Sequence, residues 1–301
     1  MIVVIAGFVV WWPASRTARL GDVPLEGGAS ILDCQITYRT IGRLDAQRSN
    51  AVLVLPWFQG TSAELVRQVG AGKLVDTSKY FAILVDAFGN GVSSSPSNSR
   101  RQPGAAFPRF TMRDLVTAQH RLVTETLQIR HLHAIVGISM GGMQAFEWMM
   151  SYPDFMTRVV SIVGSPQTQP DDTGRWNDGL SWLSQSRWTR TRARIRSLQP
   201  RSALNEFLLQ PENQSRQIHA ILSHDITRRF GGSMERAAAA RRPELLVVST
   251  WQDREVNPKP AFDYARLSGA EILELDGRCG HQAPSCESAT LWPAVGRFLG
   301  R

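Results

Sequence analysis

Short apolar runs alternate with amphipathic stretches from about residue 31 to the end of the chain. Residues 51–55 are apolar throughout, which is typical of a parallel strand buried on both faces. The same kind of pattern predicts further strands over residues 31–38, 80–86, 133–138, 159–163, 245–249 and 271–275. Apolar positions at helical spacing predict helices over residues 111–127, 141–150 and 285–299.

The alternation of strands and helices through residues 51–165, and again from residue 243, predicts an α/β fold. Such alternation is typical of a mostly parallel sheet with helices on both faces. Residues 167–242 have no strand pattern, so we expect a helical cap there, inserted into the sheet domain. The predicted organisation is a core of residues 20–166 and 243–301, a cap of residues 167–242, and an apolar segment at residues 1–19.

The run Ile2–Trp12 is uncharged but is too short to cross a bilayer, which takes about 20 apolar residues. It has the length of the apolar part of a secretory signal, although no Lys or Arg precedes it and no clear A-x-A site follows it. The sequence therefore leaves open a cytoplasmic or an exported, periplasmic location. No later run reaches transmembrane length, so no stable membrane insertion is expected.

The chain has 301 residues, 43% of them hydrophobic and 20% charged, as in ordinary soluble domains. Its net charge of +8 comes largely from arginines between residues 187 and 242, which are typical of a solvated surface. No nucleic-acid motif accompanies them, so no nucleic-acid partner is expected. The three cysteines form neither a zinc motif nor a disulfide scaffold. Cys279 and Cys286 are expected to be free thiols, and a disulfide between them is the alternative if the protein is exported.

Residues Gly137-Ile138-Ser139-Met140-Gly141 match the pattern G-x-S-x-G. The motif follows a predicted buried strand and opens a predicted helix, which is the strand–turn–helix setting of a serine nucleophile. The turn is so tight that the positions two residues before and after the serine need glycine. Ser139 is thus the predicted nucleophile, at the positive end of a helix.

A serine hydroxyl needs a general base, and the base needs an acid that orients it. His281 is the one histidine that follows the last predicted strand, in a glycine-flanked loop, and is the predicted base. Asp253 is the first carboxylate after the strand at 245–249 and is the preferred acid, with Glu255 as the alternative. The oxyanion would accept hydrogen bonds from the N–H of Met140 and from a residue after an early strand, for which Phe58 is the candidate.

Several stretches resemble the homoserine O-acetyltransferase family of α/β hydrolases. They are residues 36–42, 50–55, 79–86, 107–116 and 137–148, with the run at residues 139–145 particularly specific to that family. The similarity covers residues 20–165 well and residues 243–301 more loosely. It implies an α/β-hydrolase fold, the same roles for Ser139, Asp253 and His281, and a ping-pong route through an acetyl-serine.

Three departures from that family concern the substrate. Gln282 stands where the family has an acidic residue after its catalytic histidine, and Pro56 replaces the histidine of the oxyanion loop. The family's cap arginine, which holds the substrate carboxylate, has no unique counterpart among the many arginines here. These changes weaken the prediction of homoserine as the acceptor and favour water.

Three functions follow from the sequence. The leading hypothesis is a carboxylic-ester hydrolase that acts on short acyl esters through an acyl-serine. The second is an acyl-CoA-dependent O-acetyltransferase, for which acetyl-CoA is the co-substrate and homoserine or another alcohol the acceptor. The third is a non-catalytic binding protein of the same fold. No metal or prosthetic group is expected. The expected binding partner is a small-molecule ester or acyl-CoA substrate. The sequence does not set the oligomeric state, and a homodimer is one possibility.

Overall fold

The computed structural model of the protein describes residues 2–5, 8–11, 13–184 and 210–301, the first two ranges by their backbone alone. The strands of the described part are β1 Ile2–Ile5, β2 Phe8–Trp11, β3 Arg16–Pro24, β4 Ser30–Ile41, β5 Ala51–Leu55, β6 Phe81–Val85, β7 Leu132–Ile138, β8 Met156–Ile162, β9 Glu244–Ser249 and β10 Glu271–Glu274. Its α-helices are α1 Ser62–Leu65, α2 Met112–Arg121, α3 Met140–Ser151, α4 Pro170–Ser184, α5 Pro211–Leu222, α6 Met234–Ala239, α7 Lys259–Ser268, α8 Ala283–Cys286 and α9 Ser288–Leu299.

Eight strands form one sheet in the order β10-β9-β8-β7-β5-β6-β4-β3, while β1 and β2 pair with each other in a separate two-stranded sheet. From β10 to β6 every neighbouring pair is parallel, and β4 and β3 add to one edge in antiparallel pairing. The carboxyl ends of the parallel strands therefore meet along one edge of the sheet. The prediction of a mostly parallel α/β sheet is confirmed.

The side chains of β5 show how the sheet is buried on both faces. Leu53 and Leu55 belong to one apolar cluster, which includes residues of α2, α3 and α7. Val52 and Val54 point to the other cluster, which includes residues of α9. Burying one such aliphatic side chain contributes about 1.5–3 kcal/mol, so these two layers hold the sheet between its helices.

Within the described residues, the regular elements of the segment between β8 and β9 are helices. It contains α4, α5, α6 and a short 3-10 helix at Ile226–Phe230. Asp225 caps that turn by accepting the N–H of Thr227 at 2.8 Å. The helices predicted for residues 167–242 are thus present in the described part of this segment. The exact domain boundaries stay a prediction. The arginine-rich residues 187–201 lie outside the described residues.

The structure differs from the sequence prediction mainly at the edge of the sheet and at helix ends. β3 was not predicted, because register shifts around Gly21 break the alternation of buried and exposed side chains that identifies a strand. The predicted helix over 111–127 begins after a capping box of Thr111 and Asp114, ends as α2 at Arg121, and continues as a π-helical turn over Leu122–Thr126.

Within the described ranges, no helix combines the length and the apolar character needed to cross a membrane.

Candidate active site

The turn from β7 to α3 places Ser139 at the carboxyl edge of the sheet. Its backbone has φ 56° and ψ −116°, a conformation that costs a non-glycine residue about 1–3 kcal/mol. A Cβ atom at Gly137 would lie 2.0 Å from the carbonyl oxygen of Gly141, and one at Gly141 would lie 2.2 Å from that of Leu55. Both positions therefore require glycine, as the motif predicted, and the backbone N–H of Ser139 is anchored to the carbonyl of Ile162 at 2.8 Å.

His281 reaches Ser139 from a 3-10 turn, Gly280–Gln282, that follows β10. The distance from its Nε2 to the Ser139 Oγ is 2.8 Å, and the distance from its Nδ1 to the Asp253 Oδ2 is 2.7 Å. Since a carboxylate can only accept, Nδ1 carries the proton and Nε2 is left to accept the serine hydroxyl. The predicted nucleophile, base and acid are thus brought together by the fold, although they lie far apart along the chain.

Asp253 lies in the loop after β9 and is almost fully buried, with 1% of its side chain exposed. Its second oxygen, Oδ1, accepts the N–H groups of Glu255 at 2.9 Å and Val256 at 3.0 Å. These bonds fix the carboxylate opposite Nδ1. Glu255, the alternative acid, is 61% exposed and lies 3.9 Å from Nε2 on the serine side of the ring, so it cannot hold the imidazole by Nδ1.

The two predicted oxyanion donors belong to the start of α3 and to the loop after β5. Met140 begins α3, where the first N–H groups of a helix have no partner inside the helix. Phe58 lies in the loop after β5, and within the described part of the chain its N–H has no hydrogen-bond partner. The N–H of Gln59, by contrast, donates to Gln217 at 2.8 Å and is not available to a ligand.

A cavity of about 300 Å³ opens over Ser139 and His281. Its described lining combines aromatic and aliphatic side chains with polar ones; the members besides Ser139 and His281 are Trp57, Phe58, Gln68, Ile138, Trp176, Glu255, Gln282, Pro284 and Ser285. Phe58 and Trp176 pack edge to face with ring centroids 5.4 Å apart. The size lies at the lower end for small-molecule pockets, which span about 300–1,000 Å³.

Helix α4 is attached to the loop that carries the acid. The buried carboxylate of Asp172 accepts the N–H of Asn257 at 3.1 Å and also pairs with Arg175. Burial raises the pKa of Asp172, and the hydrogen bond from Asn257 and the Arg175 guanidinium act in the opposite direction. Because Asn257 lies four residues after Asp253, this contact ties the helical segment to one side of the site.

Asp86, at the carboxyl end of β6, holds the neighbouring loops together. Its carboxylate accepts the N–H of Ser62 at 2.8 Å, the Ser62 hydroxyl at 2.6 Å and the Asn90 amide at 3.0 Å. Burial raises the pKa of Asp86 although these hydrogen bonds favour its ionised form. The side chain braces the loop after β5 and does not face the cavity.

The expectation of two free thiols at Cys279 and Cys286 is wrong. The structure joins them in a disulfide with the two Cα atoms 6.7 Å apart. The bridge links the loop just before His281 to α8, just after it. The spacing of seven residues around a predicted catalytic histidine was the available signal, but spacing alone did not decide between thiols and a bridge. Cys34 is a buried free thiol whose pKa burial raises to about 12.

No group of three or more His, Cys, Asp or Glu side chains in the described part of the chain is arranged to hold a metal ion.

This geometry of serine, histidine and aspartate at the carboxyl edge of a parallel sheet is that of a hydrolase fold. A family model described as alpha/beta hydrolase fold matches residues 51–278. The match covers well over half of the chain, and the protein belongs to the alpha/beta-hydrolase fold family. The resemblance predicted from the sequence is confirmed at this level.

Curated relatives include both esterases and acetyltransferases. An ethyl acetate hydrolase of Pseudomonas veronii is 40% identical over 51% of this chain and 45% of its own length. A probable esterase of Corynebacterium glutamicum is 28% identical over 88% of this chain and 89% of its own length. A homoserine O-acetyltransferase of Methanococcoides burtonii is 32% identical over 53% and 39%. The chain thus spans less than half the length of the first and third of these proteins.

Solved structures agree on the fold. An acetylester hydrolase from Corynebacterium glutamicum superposes with a TM-score of 0.78 at 26% identity, covering 95% of each chain. A homoserine O-acetyltransferase from Bacillus anthracis superposes with a TM-score of 0.82 at 21% identity, covering 97% of this chain and 99% of that one. The second likeness concerns the fold alone.

The disulfide generates a test of stability. Replacing both cysteines by serine, in a Cys279→Ser/Cys286→Ser variant, is expected to lower the free energy of unfolding by about 2–3 kcal/mol, because the unfolded chain gains the freedom that the short covalent loop removes. Urea unfolding measures this. A dithiol reductant should lower the stability of the wild type to that of the variant and leave the variant unchanged.

Thiol titration of the denatured wild type provides the control for this test. One reactive thiol, from Cys34, is expected before reduction, and three are expected after it, since the chain has three cysteines. Three thiols before reduction would show that the bridge does not form.

Proposed function

We propose that the protein is a carboxylic-ester hydrolase that cleaves short acyl esters through an acyl-serine. The observation that carries this proposal is the pair of contacts made by the His281 imidazole, 2.8 Å to Ser139 and 2.7 Å to Asp253. The small cavity above them, which includes the aromatic side chains of Trp57, Phe58 and Trp176, supports short acyl groups. The names of two similar proteins, an ethyl acetate hydrolase and an acetylester hydrolase, support the same substrate class.

In the proposed first half-reaction, His281 Nε2 takes the proton from the Ser139 hydroxyl as its oxygen attacks the ester carbonyl. The negative charge that develops on the carbonyl oxygen is stabilised by the N–H groups of Met140 and Phe58. Asp253 accepts the Nδ1–H and stabilises the imidazolium. The imidazolium then protonates the alkoxide, the bond between the carbonyl carbon and the alcohol oxygen breaks, and the alcohol leaves.

In the second half-reaction water takes the place of the alcohol. His281 removes a proton from the water as its oxygen attacks the acyl-serine, and the same N–H groups stabilise the second oxyanion. The tetrahedral intermediate then expels the serine oxygen, which recovers its proton from the imidazolium. The products are a carboxylic acid and the free enzyme, so one ester and one water give one acid and one alcohol.

A second candidate is an acyl-CoA-dependent O-acetyltransferase, favoured by the similarity to homoserine O-acetyltransferases. The same acyl-serine would then pass its acyl group to an alcohol. Among the described residues that line the cavity, Glu255 contributes a carboxylate and no arginine or lysine is present. That lining disfavours the carboxylate of homoserine and the phosphates of CoA. Gln282, in place of an acidic residue, also removes a negative charge that could pair with the amino group of homoserine. Water is the better-supported acceptor.

One set of assays separates these functions. The wild type is expected to hydrolyse p-nitrophenyl acetate and ethyl acetate, and Ser139→Ala is expected to lose turnover by a factor on the order of 10⁶. Release of CoA from acetyl-CoA that depends on added homoserine would favour the transferase. Hydrolysis that survives in Ser139→Ala would contradict the nucleophile, and no turnover of either substrate class by the wild type would favour a binding protein.

The two carboxylates near His281 are distinguished by a matched pair of variants. Asp253→Asn is expected to lower kcat about 10⁴-fold, because the amide favours the wrong imidazole tautomer. Glu255→Gln, which makes the same chemical change two residues away on an exposed side chain, is expected to change kcat by less than about threefold. Steady-state ester hydrolysis measures both. A larger loss in Glu255→Gln than in Asp253→Asn would reverse the assignment of the acid.

A further inference from the structure

A fully buried glutamine on α5 connects the helical segment to the loop that carries Phe58. The Oε1 atom of Gln217 accepts both the backbone N–H and the side-chain amide of Gln59, each at 2.8 Å. Its Nε2 donates to the carbonyl of Phe88 at 2.8 Å. One side chain therefore joins the loop after β5, the loop after β6 and a helix about 160 residues further along the chain.

The residue that Gln217 holds is in a strained conformation. Gln59 has φ 58°, in the left-handed region that non-glycine residues rarely adopt. Besides its contacts with Gln217, its side-chain amide donates to the carbonyl of Gly89 at 2.8 Å. A left-handed residue persists only where its surroundings determine it, so these hydrogen bonds hold the backbone that directly follows Phe58.

The hydrogen bonds also decide which N–H groups of this loop are available to a ligand. Gln59 donates its N–H to Gln217, and Gly60 donates its N–H to the carbonyl of Trp57 at 2.9 Å. In the described part of the chain, the N–H of Phe58 has no partner, and Phe58 lines the cavity above Ser139. The N–H of Trp57, which also lines the cavity, likewise has no partner among the described residues. Of these two N–H groups, that of Phe58 belongs to the residue directly joined to Gln59, and it is the candidate that the contacts of Gln217 position.

The side chain of Gln217 packs closely against the loop after β6. A Cβ atom at Gly89, which itself has φ 73°, would lie 3.2 Å from the Cγ of Gln217 and 3.2 Å from the carbonyl oxygen of Asn213. Helix α5 therefore lies directly against the loop after β6. A side chain without the amide, or one shorter by a methylene, would leave the N–H of Gln59 and the carbonyl of Phe88 unpaired in a buried environment.

We propose that Gln217 is a positioning residue of the oxyanion hole: it holds Gln59 in its left-handed conformation and thereby fixes the Phe58 N–H toward the ester oxygen. The inference rests on the proposed ester hydrolysis through Ser139. Through Gln217, helix α5 becomes part of the catalytic arrangement, because a displacement of α5 would release the Phe58 N–H from its position. Gln217 does not touch the substrate.

The test compares two variants with a matched control. Gln217→Met keeps the volume and removes both polar groups, and Gln217→Asn keeps the amide but draws it out of reach of Gln59. Both are expected to lower kcat for ester hydrolysis about 10- to 100-fold, because a misplacement of the order of 1 Å is enough for such a loss. The KM should change by less than about threefold, since ground-state binding does not use the oxyanion donors.

A boronic acid that forms a tetrahedral adduct with Ser139 supplies a readout that a merely structural role would not move. Its affinity should fall by the same factor as kcat in each Gln217 variant. The control is Gln119→Met on α2. Gln119 is also a buried glutamine with two side-chain hydrogen bonds, to Gln144 and to Trp148, but it contacts neither loop of the site. This variant should lose stability in urea unfolding while its kcat stays within about twofold of the wild type.

The outcomes separate this inference from the proposed function. A folded Gln217→Met or Gln217→Asn variant with wild-type kcat and wild-type boronate affinity overturns the role of Gln217. An equal loss of kcat in Gln119→Met overturns it as well, since the effect would then follow stability alone. If Gln217→Met does not fold, Gln217→Asn decides. Failure of the proposed function is different, because the wild type itself would then show no hydrolysis that depends on Ser139.

Discussion

The site depends on two hydrogen bonds of the His281 imidazole, one with Ser139 and one with Asp253. Those contacts need three loops, after β7, β9 and β10, to end within a few ångströms of one another. A parallel sheet supplies this arrangement, since the carboxyl ends of its strands meet at one edge. The strained backbone of Ser139 is stable there because the turn is enclosed by β5, β8 and α3.

The loops at this edge are not positioned by the sheet alone. Helix α4 is bonded to the loop of the acid through Asp172, and helix α5 is bonded to the loop of Phe58 through Gln217. The Cys279–Cys286 bridge encloses the turn that carries His281. Three separate contacts thus stabilise the loops of the site, and the segment between β8 and β9 contributes two of them.

The sheet and the three central residues could be predicted because their signals are local and strong. Residues 51–55 were predicted as a strand with the bounds that β5 has, since an apolar run of that length has few other interpretations. Ser139 follows from a motif whose glycines are sterically required, and His281 and Asp253 follow from their order after the last strands. Phe58 was proposed from its position after an early strand, and the structure places it at the cavity.

What could not be predicted depends on contacts between distant parts of the chain. Gln59 and Gln217 are ordinary polar residues in sequence, and only the fold places their amides in contact. The edge strand β3 was missed because irregular register at Gly21 hides its alternation. The expectation of free thiols at Cys279 and Cys286 was wrong because their separation along the chain does not set the distance between their Cα atoms.

Covalent labelling by a fluorophosphonate reports the reactivity of a serine oxygen without any assumption about the natural ester. A single adduct is expected, which peptide mass spectrometry should locate at Ser139. In a folded His281→Ala variant, labelling should be about 10²- to 10⁴-fold slower, since the imidazole is the general base. An adduct at another serine, or equal labelling rates in the wild type and His281→Ala, would contradict these roles of Ser139 and His281.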